Sequence, residues 1–484
     1  AVASATQGCS YLAKENRKSG AYFSATASAK KPRASSNLPI YSLDEVRSHD
    51  SGKSLWVTFR GGVYDITGFF TGHPGGADRI LMAAGMDMEP YWDVYRQHYR
   101  GHVIPWMERY RIGNLSETDR VKAADFKFES QYENDPIRHP DLLHNTTHPF
   151  NGECKLERLT EKYWTPAELH YVRNHLAVPD IDPEEYTVEV SGNRVINTIF
   201  SLKDLKTKFK KYEVTSGLQC AGNRRDDFHG HNGHEIFIGP HWVVGAFSCS
   251  KWGGCRLRDV LGACGLDVNG MAMGEVAYED VKHIQFEGHD FNEAGTHYGA
   301  SFPIGKAVDP LGDCLLAYEM NDEDVPRDHG YPVRALVPGH TGCKQCKWLA
   351  KIIVSGAESD KAWHVKSYRG FAPDIDFDAL STWGHKDTKL RLDQAPICQS
   401  MPVQSMVMNP PPNTTLAGNL DTVKLKGCAW SGGGRGIARV DVSIDGGKHF
   451  TAAELSKPIT QTRNHEWGWF QFEEDVVIPA EMKE

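Results

Sequence analysis

Several features are missing from this chain of 484 residues. No run of about 18 apolar residues occurs, so the sequence predicts no helix that inserts into a membrane. Acidic residues outnumber basic ones by 63 to 54, which argues against a nucleic-acid-binding protein, because such proteins carry a basic face. The 11 cysteines are an odd number at ordinary density, and this argues against a disulfide framework.

The chain also lacks internal repeats, a βαβ rhythm and the glycine fingerprint of a dinucleotide-binding domain. Its composition is that of a globular protein, with 24% charged and 40% hydrophobic residues. At about 150 residues per domain, the length predicts roughly three domains. The chain contains 22 histidines, a large number, which makes metal and haem ligands worth looking for.

The first 37 residues differ from the rest of the chain. They are rich in serine and alanine and contain six basic residues against the single acid Glu15. This composition is typical of an organelle transit region, and a disordered basic tail has the same composition. Both interpretations place residues 1–37 outside any folded domain.

Composition divides the remaining chain into four segments. Residues 38–116 combine short strand-like runs and turns, which predicts a small domain. Residues 117–150 are polar and interrupted by prolines, which predicts a flexible linker. Residues 151–395 mix short apolar runs with long loops, which predicts a mixed α/β domain. Residues 396–484 contain an alternating run that ends in Asp445-Gly446-Gly447, which predicts a small β-sandwich.

The small domain contains a candidate haem site. The runs Ser54–Phe59 and Val63–Thr67 flank the turn Arg60–Gly62 and predict a β-hairpin. His73 then stands in a His-Pro-Gly-Gly turn, and His98 follows 25 residues later. A haem iron in a slot takes two imidazoles from opposite walls, and glycines let the backbone approach the flat macrocycle.

The string from Val63 to Gly76 resembles the cytochrome b5 family. That resemblance implies a haem b with His73 and His98 as its axial ligands. An iron with both axial positions filled transfers single electrons and does not activate oxygen.

A second informative string runs from Leu218 to Arg225. Its Cys220 lies close to Arg224 and Arg225, whose positive charges would stabilise a thiolate. Such a thiolate serves as a nucleophile or as a soft metal ligand. A buried structural thiol, the commonest fate of a free cysteine, is the third alternative, and the residues alone leave all three open.

Cys220–Arg225 is similar to the molybdenum site of the sulfite oxidase and eukaryotic nitrate reductase family. In that family the thiolate binds a molybdenum that also carries a pterin dithiolene and oxo groups. Several other strings resemble family motifs, namely Tyr171–His175, Trp252–Leu257, Phe286–Asp290, Asp328–Arg334 and Lys347–Leu349. The resemblance implies that the cofactor is bound by Tyr171, Val172, Arg173, Asn174, His175, Cys220, Asp290, His329, Arg334, Gln345, Cys346 and Lys347.

The resemblance also implies a substrate pocket for sulfite. Planar guanidinium groups match the oxygens of a small oxyanion, and the family pattern assigns this role to Arg173 and Arg225. It places Trp242 as a pocket wall and Tyr368 beside the metal oxo groups. Cys220, Tyr368, Arg173 and Arg225 are therefore the predicted catalytic residues, although a single arginine is more often a surface ion-pair residue.

One loop departs from the family pattern Gly-x-Arg-x-Val-Lys-Trp. Lys344 stands in place of the arginine and Cys346 in place of the valine, which puts the pterin contacts of Gln345 and Cys346 in doubt. The pair Cys343 and Cys346 has zinc-ligand spacing, but no second pair accompanies it, so zinc is not expected.

Residues 429–435 resemble the family's immunoglobulin-like dimerisation domain. In the family this domain continues for some tens of residues beyond the position of Glu484, so an incomplete sandwich is expected here. The resemblance as a whole implies an α+β homodimer that contains molybdopterin and haem b. It would oxidise sulfite to sulfate in the mitochondrial intermembrane space and pass electrons to cytochrome c.

Two other functions are considered. Nitrate reductases of the family place the haem domain after the molybdenum domain and add a flavin module, whereas here the haem motif comes first. A non-enzymatic haem electron carrier with a degenerate second domain is the other alternative. The intact Cys220 and Arg225 argue against it.

Overall fold

The computed structural model describes residues 38–73, 77–94, 96–99, 103–124, 131–228, 240–291, 295–365, 367–370, 395–456 and 461–479. The leader predicted at residues 1–37 lies outside the described residues. Within the described ranges, no helix is both long enough and apolar enough to cross a membrane.

The N-terminal domain is a small sheet with short helices. Its five strands lie in the order β1-β5-β4-β3-β2, and only the β1–β5 pair is parallel. The strands are β1 Ile40–Tyr41, β2 Asp50–Ser51, β3 Ser54–Phe59, β4 Gly62–Asp65 and β5 Arg111–Leu115. The helices are α1 Leu43–Arg47, α2 Ala77–Leu81, α3 Glu89–Val94, α4 Val103–Met107 and α5 Glu117–Ala124.

The predicted hairpin of this domain is confirmed. Strands β3 and β4 pair antiparallel, with Phe59 opposite Gly62. The two turn residues, Arg60 and Gly61, have φ values of 49° and 80°. Two successive positive φ values give a turn whose twist matches that of the strands. Alternate side chains of β3, such as Leu55 and Val57, are then fully buried in the domain core.

The described parts of the segment 117–150 are more regular than the flexible linker predicted for it. It begins with helix α5, and from residue 131 onward it packs on the central domain. Arg138 forms ion pairs with Asp135 at 2.9 Å and with Asp328 at 2.8 Å, and all three side chains are about nine-tenths buried. Polar residues and prolines give this segment the composition of a linker. Its Arg138, however, pairs with Asp328, 190 residues away, and local sequence does not reveal such a partner.

The central domain contains three sheets. Their strand orders are β10-β9-β18-β13-β14, β11-β12-β15-β16 with β17 beside β15, and β6-β7-β8. The strands are β6 Leu142–Thr147, β7 Phe150–Cys154, β8 Val172–Arg173, β9 Thr187–Gly192, β10 Thr198–Ser201, β11 Lys211–Gln219, β12 Phe247–Arg256, β13 His283–Phe291, β14 His297–Pro303, β15 Leu315–Met320, β16 Glu323–Asp324, β17 Arg334–Leu336 and β18 Leu349–Ser355. The helices are α6 Leu156–Leu159, α7 Leu202–Lys208, α8 Leu257–Ala263, α9 Val268–Met273, α10 Ile304–Val308 and α11 Ala362–Val365.

The pairing of β11 with β12 places the most informative sequence motif. The two strands pair without interruption from Lys211 opposite Cys255 to Gln219 opposite Phe247. Most side chains at this end of the pair are buried, since β12 is apolar or small along nearly its whole length. Cys220 follows directly, so its position is set by the end of a long and regular ladder.

The C-terminal domain is built from β-strands, as expected for a sandwich. One sheet has the order β19-β20-β24-β23, and β21 and β22 form a separate pair. The strands are β19 Gln404–Asn409, β20 Thr422–Trp430, β21 Asp441–Val442, β22 Thr451–Ala452, β23 Glu454–Ser456 and β24 Phe470–Val477. The chain reverses between β21 and β22 through residues 443–450, in which Gly446 and Gly447 have φ values of 73° and 86°. The α+β class is thus confirmed.

Close backbone approach in the central sheet yields a stability prediction. A Cβ atom added at Gly254 would lie 2.2 Å from the carbonyl oxygen of Leu316 on the neighbouring strand. We expect Gly254→Ala to destabilise the protein by about 1–3 kcal/mol, because the sheet must shift to accept it. In the control Gly305→Ala, the added Cβ meets nothing within 4 Å in helix α10, and stability should rise by about 0.4–1 kcal/mol. Thermal unfolding of both variants is the measurement, and equal midpoints would contradict this account.

Candidate active site

A cavity of about 630 Å³, its mouth included, lies where loops of the central domain converge. Strand ends and short turns from separate sheets supply its walls. The lining residues are His170, Tyr171, Arg173, His175, Leu218, Cys220, Ala221, Asp290, Tyr298, Asp328, His329, Arg334, Gly342, Cys343, Gln345, Lys347, Trp348 and Tyr368.

Cys220 is held in place by the backbone on both of its sides. Its N–H donates to the carbonyl of Ala246 at 3.0 Å and so extends the β11–β12 ladder by one step. Its own carbonyl accepts from the N–H of Asn223 at 2.9 Å, which closes a tight turn. The residue is 5% exposed, and that exposure is toward the cavity. The strand end therefore presents a single buried thiol to the cavity.

Two arginines lie close to this thiol. Arg225 donates to the carbonyl of Pro240 at 2.9 Å, and its guanidinium packs so tightly on Gly222 that an added Cβ there would lie 2.3 Å from it. Burial lowers the pKa of Arg225, and the positive charge of Arg173 lowers it further. Two like charges in a partly desolvated place favour a bound anion, which would relieve their repulsion.

Tyr368 and His175 form a short hydrogen bond of 2.5 Å between the phenol oxygen and Nε2. The His175 ring also stacks on Tyr298, with ring centroids 4.6 Å apart. Burial and the charge of Arg173 hold the pKa of His175 well below its usual range, and burial raises the pKa of Tyr368. Because the phenol stays protonated and the imidazole stays neutral, the phenol O–H can donate to Nε2 in this bond. Tyr368 has a φ of 58°, which is a strained value for a residue other than glycine. Its side chain lines the cavity.

Three buried polar atoms on the cavity wall have no hydrogen-bond partner among the residues that the structure describes. They are His170 Nε2, Asp290 Oδ1 and Arg334 Nε. Leaving such atoms unpaired costs about 1–3 kcal/mol each, so the wall is suited to a ligand with both donors and acceptors. A pterin ring carries both along its edge. Burial raises the pKa of Asp290 to about 7, and a donor from such a ligand would favour its carboxylate form.

The cations of the same wall are held by backbone carbonyls. Arg334 donates to the carbonyl of His329 at 2.8 Å, and Lys347 donates to that of Asp328 at 2.8 Å. Burial lowers the pKa of Arg334 to about 10 and that of Lys347 to about 7. An anionic group, such as the phosphate of a pterin cofactor, would stabilise both positive charges.

Many of the predicted site residues meet at this cavity. Those on its wall are Tyr171, Arg173, His175, Cys220, Asp290, His329, Arg334, Gln345, Lys347 and Tyr368. Five other predicted residues are not on the wall, namely Val172, Asn174, Arg225, Trp242 and Cys346.

Some residues of the second group support the wall from behind. Asn174 donates to Asp328 at 3.0 Å and accepts from Lys347. Trp242 is fully buried, and its ring meets Tyr171 edge-on at 6.2 Å. Gln345 reaches the wall, yet its side-chain amide is occupied by backbone groups within its own loop.

Sequence reasoning missed eight residues of the wall. They are His170, Leu218, Ala221, Tyr298, Asp328, Gly342, Cys343 and Trp348. Four of them, Leu218, Ala221, Asp328 and Trp348, lie within motifs that were recognised, so membership of a motif was an available signal. Tyr298 had no such signal, because only the pairing of β13 with β14 brings it to the site.

The candidate haem site lies in the N-terminal domain. The rings of His73 and His98 are nearly parallel, with centroids 5.9 Å apart and planes inclined by 12°. Phe69 meets the first ring edge-on at 5.9 Å, and Trp92 stacks on the second at 5.1 Å. Two facing imidazoles in an aromatic setting fit the axial ligation of a flat, apolar macrocycle. Pro74-Gly75-Gly76 lies outside the described residues.

Three protein-family profiles match successive parts of the chain. Residues 42–116 match the cytochrome b5-like heme/steroid binding domain, residues 175–363 the oxidoreductase molybdopterin binding domain, and residues 395–484 the Mo-co oxidoreductase dimerisation domain. Together with the thiol-bearing cavity and the paired histidines, these matches define a molybdopterin oxidoreductase with a cytochrome b5-type haem domain.

The family follows from full-length relatives. The chain is 42% identical to mitochondrial sulfite oxidase of Rattus norvegicus over 455 residues, which is 93% of this chain and 78% of the relative. It is 40% identical to sulfite oxidase of Gallus gallus over 445 residues, or 92% and 91% of the two chains. The chain belongs to the sulfite oxidase family. The sulfane dehydrogenase SoxCD of Paracoccus pantotrophus shares the fold, with a TM-score of 0.53, 23% identity and coverage of 74% of this chain and 80% of that one.

The facing imidazoles yield a prediction for the haem. We expect His73→Ala to reduce the haem content sharply, since one of the two axial ligands is lost. The measurement is the Soret absorbance per mole of protein. His49→Ala is the control, because His49 lies in the same domain but stacks on Trp56 instead. Full haem occupancy in the His73 variant would overturn the ligand assignment.

Proposed function

We propose that this protein oxidises sulfite to sulfate and takes the added oxygen from water. The reaction releases two protons and two electrons for each sulfite. The observation that carries the proposal is the Cys220 thiol on a cavity wall, with Arg173 beside it and Arg225 close by. Sulfite is a small dianion, and this arrangement offers it two guanidinium groups next to a metal-binding thiol.

We assign the cofactor to the cavity walls. Cys220 would hold the molybdenum, and His170, Asp290, Arg334 and Lys347 would bind the pterin and its phosphate. When bound, the molybdenum centre supplies a two-electron acceptor that can transfer oxygen. Of the other predicted contacts, Asn174 and Gln345 would act by holding the loops that carry these residues.

The protein's own groups have distinct roles in this proposal. Arg173 and Arg225 bind sulfite and orient its lone pair toward the metal. Tyr368 would donate its hydroxyl hydrogen to His175 Nε2 while its oxygen takes up a proton from the substrate position, so that His175 receives a proton through that hydroxyl. The neutral state of His175 supports this role, because an imidazole that is already charged could not accept the proton.

Electron transfer, partner and location complete the proposal. His73 and His98 would hold a haem, which would supply a one-electron carrier between the cavity and cytochrome c. We place the protein in mitochondria, in the intermembrane space, because relatives carry a mitochondrial name and residues 1–37 resemble a transit region. We propose a homodimer on the strength of the match to a dimerisation domain.

We retain three domains for this function, at residues 38–116, 151–395 and 396–484. The ion pairs of Arg138 with Asp135 and Asp328 support one refinement of the linker. This refinement assigns the residues from 131 onward to the central domain.

The role of Cys220 yields a first prediction for activity. We expect Cys220→Ser to abolish haem reduction by sulfite, because a protonated hydroxyl is a poor substitute for a thiolate ligand. Pterin and haem contents should stay near normal, since their contacts lie on other loops. Stopped-flow absorbance of the haem after mixing with sulfite is the measurement. Cys249→Ser is the matched control, as Cys249 is fully buried in strand β12 and is not on the cavity wall. Near-normal reduction in the Cys220 variant would refute the metal-ligand role.

The second prediction concerns Arg225. Loss of a charge-assisted contact to an anion costs about 1.5–3 kcal/mol, so Arg225→Gln should weaken sulfite binding roughly ten- to a hundred-fold. The measurement is steady-state kcat and KM for sulfite. Arg224→Gln is the control, because Arg224 forms a partly exposed ion pair with Asp227 at 2.7 Å. Unchanged kinetics in the Arg225 variant would show that it serves only in structure.

A further inference from the structure

A tryptophan of the C-terminal domain contacts the residue that precedes the proposed metal ligand. The indole N–H of Trp430 donates to Oε1 of Gln219 at 2.7 Å. Trp430 is 1% exposed and Gln219 is 4% exposed, so water does not compete for this bond. Gln219 is the last residue of β11, and Cys220 follows it. The contact joins residues 211 positions apart.

The same indole also contacts the opposite strand. Its ring stacks on Phe247, with centroids 4.0 Å apart and planes inclined by 13°. Phe247 is the ladder partner of Gln219. Trp430 therefore touches both members of the last strand pair before Cys220, one through a hydrogen bond and the other through stacking.

Backbone bonds tie the same region to the C-terminal part of the chain. The N–H of Gly217 donates to the carbonyl of Trp467 at 3.0 Å, and that of Met401 donates to the carbonyl of Gly339 at 2.9 Å. The first bond holds β11, and the second holds the loop that leads to Gly342 on the cavity wall. The C-terminal domain is thus packed directly on two of the segments that form the cavity.

We propose that Trp430 is a positioning residue for the Cys220 thiolate, so that the C-terminal domain sets the geometry of the metal ligand as well as joining subunits. This inference rests on the proposed function. Without the indole donor, the buried Gln219 oxygen has lost its partner and must turn to find another. A turn of that side chain shifts the backbone that carries Cys220, and such sites need their groups within about 0.5 Å of the working geometry.

Trp430→Phe tests this proposal, because it keeps an aromatic ring on Phe247 and removes the indole donor; the accompanying loss of ring volume is shared by the control variant below. We expect the ratio of molybdenum to haem to stay normal and kcat for sulfite to fall at least about tenfold. KM should change little, since Arg173 and Arg225 do not contact Trp430. The EPR g values of the singly reduced molybdenum should shift, because they report the geometry of the bound sulfur.

Trp469→Phe is the matched control. Trp469 is also fully buried in the same core, and its ring centroid lies 5.5 Å from that of Phe247. Its indole N–H donates to the carbonyl of Tyr163 at 2.9 Å, so the Phe variant loses an equivalent hydrogen bond. Its partner is far from Cys220 in sequence. We expect this variant to lose stability but to keep the wild-type g values and kcat. Equal g values and equal kcat in the two tryptophan variants would overturn the proposal.

A second variant covers the case in which Trp430→Phe does not fold. Gln219→Met keeps the length of the side chain and replaces the amide by a weak acceptor. It should show the same shift of g values with Trp430 intact, and wild-type g values would again overturn the proposal. The g values can be measured after chemical reduction. A wild-type protein that fails to oxidise sulfite would therefore refute the proposed function without deciding the role of Trp430.

Discussion

The burial of several positive charges around one cavity is the constraint on which the rest of this structure depends. Burial lowers the pKa values of Arg225, Arg334 and Lys347, which means that each charged form is less stable there than in water. Backbone carbonyls offset part of this cost, and each cation is held by at least one of them. The loops around the cavity therefore supply carbonyl groups, and an anionic cofactor and substrate bound there would complete the compensation.

The two candidate redox sites are built on opposite physical principles. The cavity around Cys220 is polar and carries unpaired donors and acceptors, as suits a pterin with its phosphate and a charged substrate. The facing imidazoles of His73 and His98 each contact an aromatic ring, as suits the flat apolar faces of a porphyrin. Chemistry on the substrate and the transfer of single electrons are thus assigned to separate environments.

The C-terminal domain shares its core with the central one. Phe150 and Phe247 of the central domain pack in one cluster with Met406, Trp430 and Trp469 of the C-terminal strands and the loop before β24. A common core transmits small shifts, because close-packed side chains do not deform freely. An influence of the C-terminal domain on the site is the physical consequence of this arrangement.

The sequence by itself determined the local pieces of this protein. The β3–β4 hairpin followed from neighbouring residue types, whereas the candidate haem ligands His73 and His98 and the candidate metal ligand Cys220 were predicted from motifs that resemble known families. Only the tertiary structure decided how these pieces are supported. Arg138 finds Asp328 across 190 residues, and Trp430 finds Gln219 across 211. Such contacts depend on how the sheets pack in space, and no local pattern of residue types records that packing.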